Sequence, residues 1–231
     1  MVDTCDILTI VAHPDDAEFG AGGSIAAWTA AGRSVAYVVC TSGDKGTSDR
    51  NLSPETLALI RQQEQRDAAA VLGVSEVVFL ELEDQHVEET PEFRESIVRL
   101  IRTYRPEMVI TMDPYRRYVW HRDHRIVGQV VMDALFPYAR DHMAYPALLD
   151  EGLEPHKVKE ALFFGAEEAN HWIDISDTFA KKVEALRCHV SQVREFGAED
   201  LESWLRDRYR RLAEGSGYGL AEAFRRVKLP D

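Results

Sequence analysis

Two short polar stretches hold most of the side chains in this sequence that could do metal or proton chemistry together: Ala12-His13-Pro14-Asp15-Asp16-Ala17-Glu18 and His121-Arg122-Asp123-His124. The first follows directly on a β-branched apolar run, where carboxylates do not crowd by default. Asp15 or Asp16 would serve there as the cap of a following helix. Alternatively His13 and Asp16, three apart across a proline-constrained turn, would face one cation, and imidazole plus carboxylate suits zinc. In the second stretch two histidines flank Asp123, which is within reach of either to fix a tautomer. Together the stretches offer three protein ligands, His13, Asp16 and His124, with a fourth position for water. Three ligands with an open position is the arrangement of catalytic zinc, whereas structural zinc closes with four, usually sulfur-rich, ligands. Iron(II) would accept the same set.

These residues work only if the fold brings them to one edge. Residues 6–12 (DILTIVA) read as a strand and the small-residue stretch 20–32 as a helix. The cycle repeats with a strand over 34–40 and a helix opened by Ser53-Pro54-Glu55 and ending near Gly73. A strand at 77–80, a helix from Thr90-Pro91 to about Arg105, a strand at 108–112 and a helix at 125–136 follow. Such alternation predicts an α/β, Rossmann-like, mostly parallel sheet with helices on both faces. Ligands of such sheets bind beyond the carboxyl ends of the strands, so the loops at 13–18, 41–49, 81–89 and 113–124 should share one face. From about Leu148 the order is irregular, with strands at 161–164 and near 172–175 and helices around 176–193 and 199–214, an α+β tail on the same single domain, 1–231.

The chain has 27 Lys plus Arg against 40 Asp plus Glu, a net charge of −13. That balance argues against nucleic acid, because the basic residues are dispersed. Apolar residues at 45% exclude disorder. Three scattered cysteines (Cys5, Cys40, Cys188) suit buried thiols in a reducing cytoplasm, and no basic leader or membrane-length apolar run is present. Gly20-Ala21-Gly22-Gly23 is not the GxGxxG of dinucleotide sites, so these glycines are read as close helix–sheet packing, and a nicotinamide-dependent oxidoreductase, which would bind NAD, ranks behind a hydrolase.

The segments AHPDDAEFGAGG and HRDH resemble the paired motifs of the LmbE-like/PIG-L zinc-dependent N-deacetylases, which remove acetyl from N-acetylglucosaminyl compounds. TSGDKG (41–46), RQQE (61–64) with AAAVLGV, FLELED (79–84), WIDISDTFAKKVEALRCHVSQ (172–192) and YGLAEAFRRVKL extend the likeness over most of the chain. The resemblance implies zinc on His13, Asp16 and His124, Asp15 as the general base toward the metal-bound water, and His121 as the group that stabilises the oxyanion and assists departure of the amine. Chemistry supports these roles, since zinc brings its water to a pKa of roughly 7 and a nearby carboxylate can finish the deprotonation. Asp123 would hold His121 protonated and oriented.

The resemblance also points to Arg61 and Asp84 as contacts for sugar hydroxyls or an attached group. A solvated helix charge and one member of an acidic run are the plain alternatives. Arg122 stands where many members carry proline. The approach Tyr115-Arg116-Arg117-Tyr118-Val119-Trp120 would form either a mouth or lid of the site or a contact in a homo-oligomer. The expected partner is a small N-acetylated sugar or glycoconjugate, with a larger thiol or glycoside amide, or a non-catalytic metal- or sugar-binding module, as alternatives. His86, His142, His156, His171 and His189 have no ligand spacing and are assigned no role.

Overall fold

Strands β1 (Ile7–Val11), β2 (Val35–Thr41) and β4 (Met108–Met112) are buried at every position. Their unbroken Val/Ile-rich character is what parallel strands need when both faces are covered. A computed structural model describes residues 4–195 and 201–231. Between these strands lie α1 (Asp16–Ala30), α2 (Pro54–Leu72), β3 (Glu76–Leu82) and α3 (Pro91–Tyr104), and after them α4 (Arg122–Leu135). A single 3-10 turn (Tyr138–Arg140) and the short α5 (Ala147–Asp150) lead to β5 (Glu160–Phe164) and β6 (His171–Asp174). The chain continues with α6 (Phe179–Cys188), α7 (Val190–Glu195), α8 (Leu201–Leu212) and β7 (Ala221–Lys228).

The described residues form one seven-stranded sheet in the order β3-β2-β1-β4-β5-β7-β6. The first five strands are parallel and β7 runs antiparallel to both β5 and β6. Helices α1, α2 and α6 pack together, and α3 packs with α4. The chain steps outward from β1 to β3 and then returns to lay β4 beside β1, so the switch in direction falls between β1 and β4. Local signals set the outer helices: Ser53 and Thr90 accept from the backbone of Thr56 and Phe93, each followed by proline at the first helical position. Such caps contribute about 1 kcal/mol each.

The structure departs from the sequence reading in four places. Helix α1 starts at Asp16 rather than Gly20, and α4 at Arg122 rather than Arg125, so both polar motifs run into helix N-termini. The helix read over 176–193 is two helices, interrupted at His189. The last helix is described from Leu201, and positions 199 and 200 of that reading lie outside the described residues. Strand β7 is absent from the sequence reading; its stretch AEAFRRVK carries four charged residues and draws its place from pairing on both sides.

The glycines of α1 are packing glycines, as read. A Cβ on Gly20 would meet the Phe164 ring at 2.5 Å, and one on Gly23 would meet Ile175 at 2.6 Å. Behind them the fully buried Lys182–Glu222 pair joins α6 to β7, and Glu222 also accepts from the backbone of Gly23 and Ser24, 2.8 Å each. A buried pair persists when its remaining valences are satisfied in this way.

Candidate active site at the switch between strands one and four

The loops leaving β1 and β4 meet where the order of the sheet reverses, the position at which open parallel sheets bind ligands. His13 Nδ1 lies 3.2 Å from His124 Nε2 and 3.4 Å from Asp16 Oδ2, and His124 Nε2 lies 3.0 Å from Asp16 Oδ1. Those three spacings match the edge of a tetrahedron with metal–ligand bonds of about 2.0–2.1 Å. Two imidazole nitrogens and a carboxylate turned on one point are a donor set for a divalent cation, and the residues present therefore fit the expected metal. Asp16 is fixed for this by its own turn, since its Oδ2 accepts from the His13 backbone N–H at 2.8 Å.

The other edge of the His13 ring is also occupied. Its Nε2 lies 3.1 Å from Asp84 Oδ1 and 3.3 Å from Asp123 Oδ2. Asp123, fully buried, accepts from the Gln85 backbone at 2.7 Å, and Asp84 from the Lys45 backbone at 3.2 Å. This carboxylate–histidine arrangement sets which nitrogen of a ligand histidine carries its proton. Burial alone would raise Asp84, but the His13 hydrogen bond and charge bring it down to about 2. His13, Asp84, His121 and Asp123 also converge closely enough to form a second group of potential ligand atoms around the same ring.

Two expectations change here. Asp123 does not turn its carboxylate on His121; it commits it to His13 and Gln85, and only its backbone N–H reaches His121 Nδ1, at 3.2 Å. His121 is accordingly shifted the opposite way from that expectation: burial, then the charges of His13 and His124, lower it. With Nδ1 accepting at the N-cap of α4, the ring proton sits on Nε2. Arg61 and Asp84, expected at the substrate surface, lie beneath it, 4% and 3% exposed. Arg61 donates to Gly43 O (2.8 Å), Pro14 O (2.6 Å) and Asp15 Oδ2 (3.2 Å), tying the loops after β1 and β2 together. Gly43 makes room for it: at φ 61° it is in the left-handed region, and a Cβ there would lie 2.1 Å from the guanidinium.

Asp15 adopts the left-handed conformation too, at φ 96°, ψ −25°. This is uncommon for a residue with a side chain. Its N–H donates to Gln65 Oε1 at 2.9 Å. Burial raises its carboxyl to about 6 against the opposing pull of Arg61, which keeps it close to the range where a carboxyl both holds and releases a proton near neutrality. Sequence reasoning passed over Gln65, Glu18 and His189. The available signals were that Gln65 stands one helical turn after Arg61 and that His189 sits inside a motif already singled out.

A cavity of about 440 Å3 opens beside Asp16 and His124, walled in part by Phe19, Trp120, Trp172 and Tyr209. Arg116 lies over the Trp120 ring at 4.6 Å, and Trp120 Nε1 donates to Asp113 O at 2.9 Å. So Arg116 and Trp120 of the 115–120 approach face the site, while Tyr118 and Val119 are 91% and 87% exposed. Among the described residues His86, His142, His156 and His171 belong to no group of converging ligand atoms, and no described helix is long and apolar enough to cross a membrane.

Residues 8–135, more than half of the chain, match the family described as GlcNAc-PI de-N-acetylase (PIG-L). The chain is 35% identical to a diacetylchitobiose deacetylase of Thermococcus kodakarensis over 97% of its own length and 84% of the relative's. It superposes with a TM-score of 0.92 and 31% identity on the N,N'-diacetylchitobiose deacetylase of Pyrococcus horikoshii, covering 98% of this chain and 85% of that one. At 21% identity and a TM-score of 0.80, the 4-carboxy-2-hydroxymuconate hydratase GalB of Pseudomonas putida shares the fold, over 97% of this chain and 96% of that one. With its two polar motifs converging at the β1/β4 switch, this chain belongs to the PIG-L family of de-N-acetylases.

Proposed function

We propose that the protein is a zinc-dependent hydrolase that removes the acetyl group from the nitrogen of an N-acetylglucosamine-type substrate, with His13, Asp16 and His124 holding the cation. The observation that carries this reading is the triangle of His13 Nδ1, Asp16 carboxylate and His124 Nε2, 3.0–3.4 Å on each side, with Asp15 beside it and not in it. A pure binding module would need no strained carboxylate there. Bound zinc would supply an acidified water and a positive charge facing the acyl oxygen. Asp15 Oδ takes the proton of the attacking water as oxygen bonds to the acyl carbon. His121 Nε2–H donates to the oxygen that gains charge, a role a neutral imidazole performs without prior protonation. The proton held at Asp15, rather than one from His121 as expected, then passes to the departing nitrogen, and the second proton of the water follows as the carboxylate forms, so that water and amide yield acetate and the protonated amine. Asp84 and Asp123 hold the His13 ring from its far side, and Arg61 holds the Asp15 carboxylate from beneath.

The family likeness to deacetylases of diacetylchitobiose supports a small N-acetylated sugar or glycoside as substrate. A second reading, an amidase for a larger thiol or glycoside conjugate, draws on the 440 Å3 cavity beside the ligands. Unpaired cysteines at 5, 40 and 188 support a reducing, cytoplasmic setting. The test is purified protein analysed for metal, loaded with Zn(II) or Fe(II), and assayed for acetate and amine release from N-acetylglucosamine, its disaccharide and larger acyl conjugates. Turnover confined to the larger acyl conjugates would select the second reading, and no turnover with metal bound would reject both.

A further inference from the structure

We propose that a buried hydrogen-bond chain from His189 through Glu18 and Gln65 to the backbone of Asp15 positions that residue for proton transfer, which makes His189, Glu18 and Gln65 positioning residues. The inference rests on Asp15 acting as the base. A side-chain-bearing residue at φ 96° is strained and stays there only when its surroundings over-determine it. The surroundings of Asp15 do. Arg61 and Gln65, one turn apart on α2, take hold of it at both ends, Arg61 at the carboxylate (3.2 Å) and Gln65 at the N–H (2.9 Å).

What orients Gln65 is Glu18. The Gln65 Nε2 lies 3.0 Å from Glu18 Oε1, and His189 Nε2 lies 3.1 Å from Glu18 Oε2. Gln65, Glu18 and His189 are all fully buried. A carboxylate only accepts, so Gln65 must present its NH2 to Glu18 and thereby its oxygen to the Asp15 N–H, and His189 must present an N–H from Nε2. The direction of every bond therefore follows from the one acceptor in the middle. An amide turned the other way would set donor against donor at Asp15. The His189 ring makes this single bond: its Nδ1 is buried without a partner among the described residues.

His189 stands at the break between α6 and α7, beyond the stretch matched to the family, and its neighbours fasten the same ground. Ser191 donates from its backbone (2.8 Å) and hydroxyl (2.6 Å) to Glu64 of α2, and Gln192 Nε2 donates to Gly46 O (3.0 Å) in the loop after β2. The break at His189 thus reaches α1, α2 and the β2 loop within four residues.

The experiment uses the full chain loaded with Zn(II) and an N-acetylated sugar, with kcat, KM, zinc per chain and melting temperature read for Gln65→Leu, His189→Leu, His189→Gln, the Gln65→Leu/His189→Leu double variant and Asp15→Asn. Misplacing a reacting group by about 1 Å costs on the order of 100-fold. The expected result is a fall in kcat of about 10- to 100-fold in Gln65→Leu and His189→Leu with KM and zinc unchanged. In addition, His189→Gln, which keeps an N–H at similar reach, should recover most of the loss, and the double variant should lose no more than the worse single one. Equal loss in His189→Gln and His189→Leu, or wild-type kcat in a folded Gln65→Leu, would overturn the positioning chain while Asp15→Asn remains inactive. Full activity of Asp15→Asn would instead overturn the assignment of the base.

Discussion

The two polar motifs end on the same point but are held there by different means. His121-Arg122-Asp123-His124 is largely self-supporting: His121 caps α4, accepting from the Asp123 backbone, and Asp123 and His124 follow in the first helical turn. The motif from His13 to Glu18, apart from the turn that fixes Asp16 on the His13 backbone, is held from outside. Asp15 leaves ordinary backbone space, and its conformation depends on α2, while His13 depends on the loop after β3 and the first turn of α4 and Glu18 on the α6–α7 break. A helix N-terminus supplies a ready-made geometry for side chains near its cap. A strained turn between strand and helix has none, so the fold must supply it through long-range contacts.

The largest expected effect bears on what the motifs share. Asp16→Ala or His124→Ala should each abolish stoichiometric zinc and lower kcat/KM by about 1000-fold or more, a loss of some 4 kcal/mol of stabilisation. Retention of zinc and turnover by either would separate the motifs. Next, Asp15→Asn should lower kcat by about 100- to 10,000-fold with zinc retained. Replacement of His121 by Leu should cost about 100- to 1000-fold in kcat, together with about 1 kcal/mol of stability from the lost cap. If His121→Leu left the melting curve untouched, the self-supporting description of the second motif would fail.

Asp123→Asn bridges the two motifs, because the side chain belongs to one and acts on His13 of the other. Zinc affinity, measured by competition with a chelator, should weaken about 10- to 100-fold. The smallest effect concerns pH. Although burial works against it, the hydrogen bond and charge of Glu18 raise His189, with Asp15 adding to the rise and Arg61 opposing it. A raised imidazole contributes stability fully below its unfolded pKa of about 6.5 and loses it as pH climbs through the folded value. The melting-temperature advantage of the protein over His189→Gln should therefore shrink from pH 6 toward pH 9, at about 2–4 °C per kcal/mol. An advantage that grew with pH would contradict the pairing.

Legibility in the sequence followed the range of the interaction. The alternation of apolar runs and helical stretches, with Ser53-Pro54 and Thr90-Pro91 as helix starts, was readable because each signal lies within a few residues. Strand β7 was not, since its residues owe their place to β5 and β6 on either side. Arg61 and Asp84 were found as residues of the site but assigned to its surface. Their partners are Gly43, Pro14 and Asp15 for the one and His13 and Lys45 for the other, and no periodicity reports such contacts.

Residue chemistry and local spacing were enough to single out His13, Asp16 and His124, three side chains that the fold brings together, and the face on which they lie, because donor types are intrinsic to side chains and the carboxyl edge follows from a parallel sheet. The tertiary structure alone decided that Asp123 serves His13, that Arg61 is a buried brace, and that a histidine more than 170 positions away reaches the ground behind Asp15. Direction and partner of a buried hydrogen bond are settled by what packing brings within about 3 Å, and that information is spread over the whole chain.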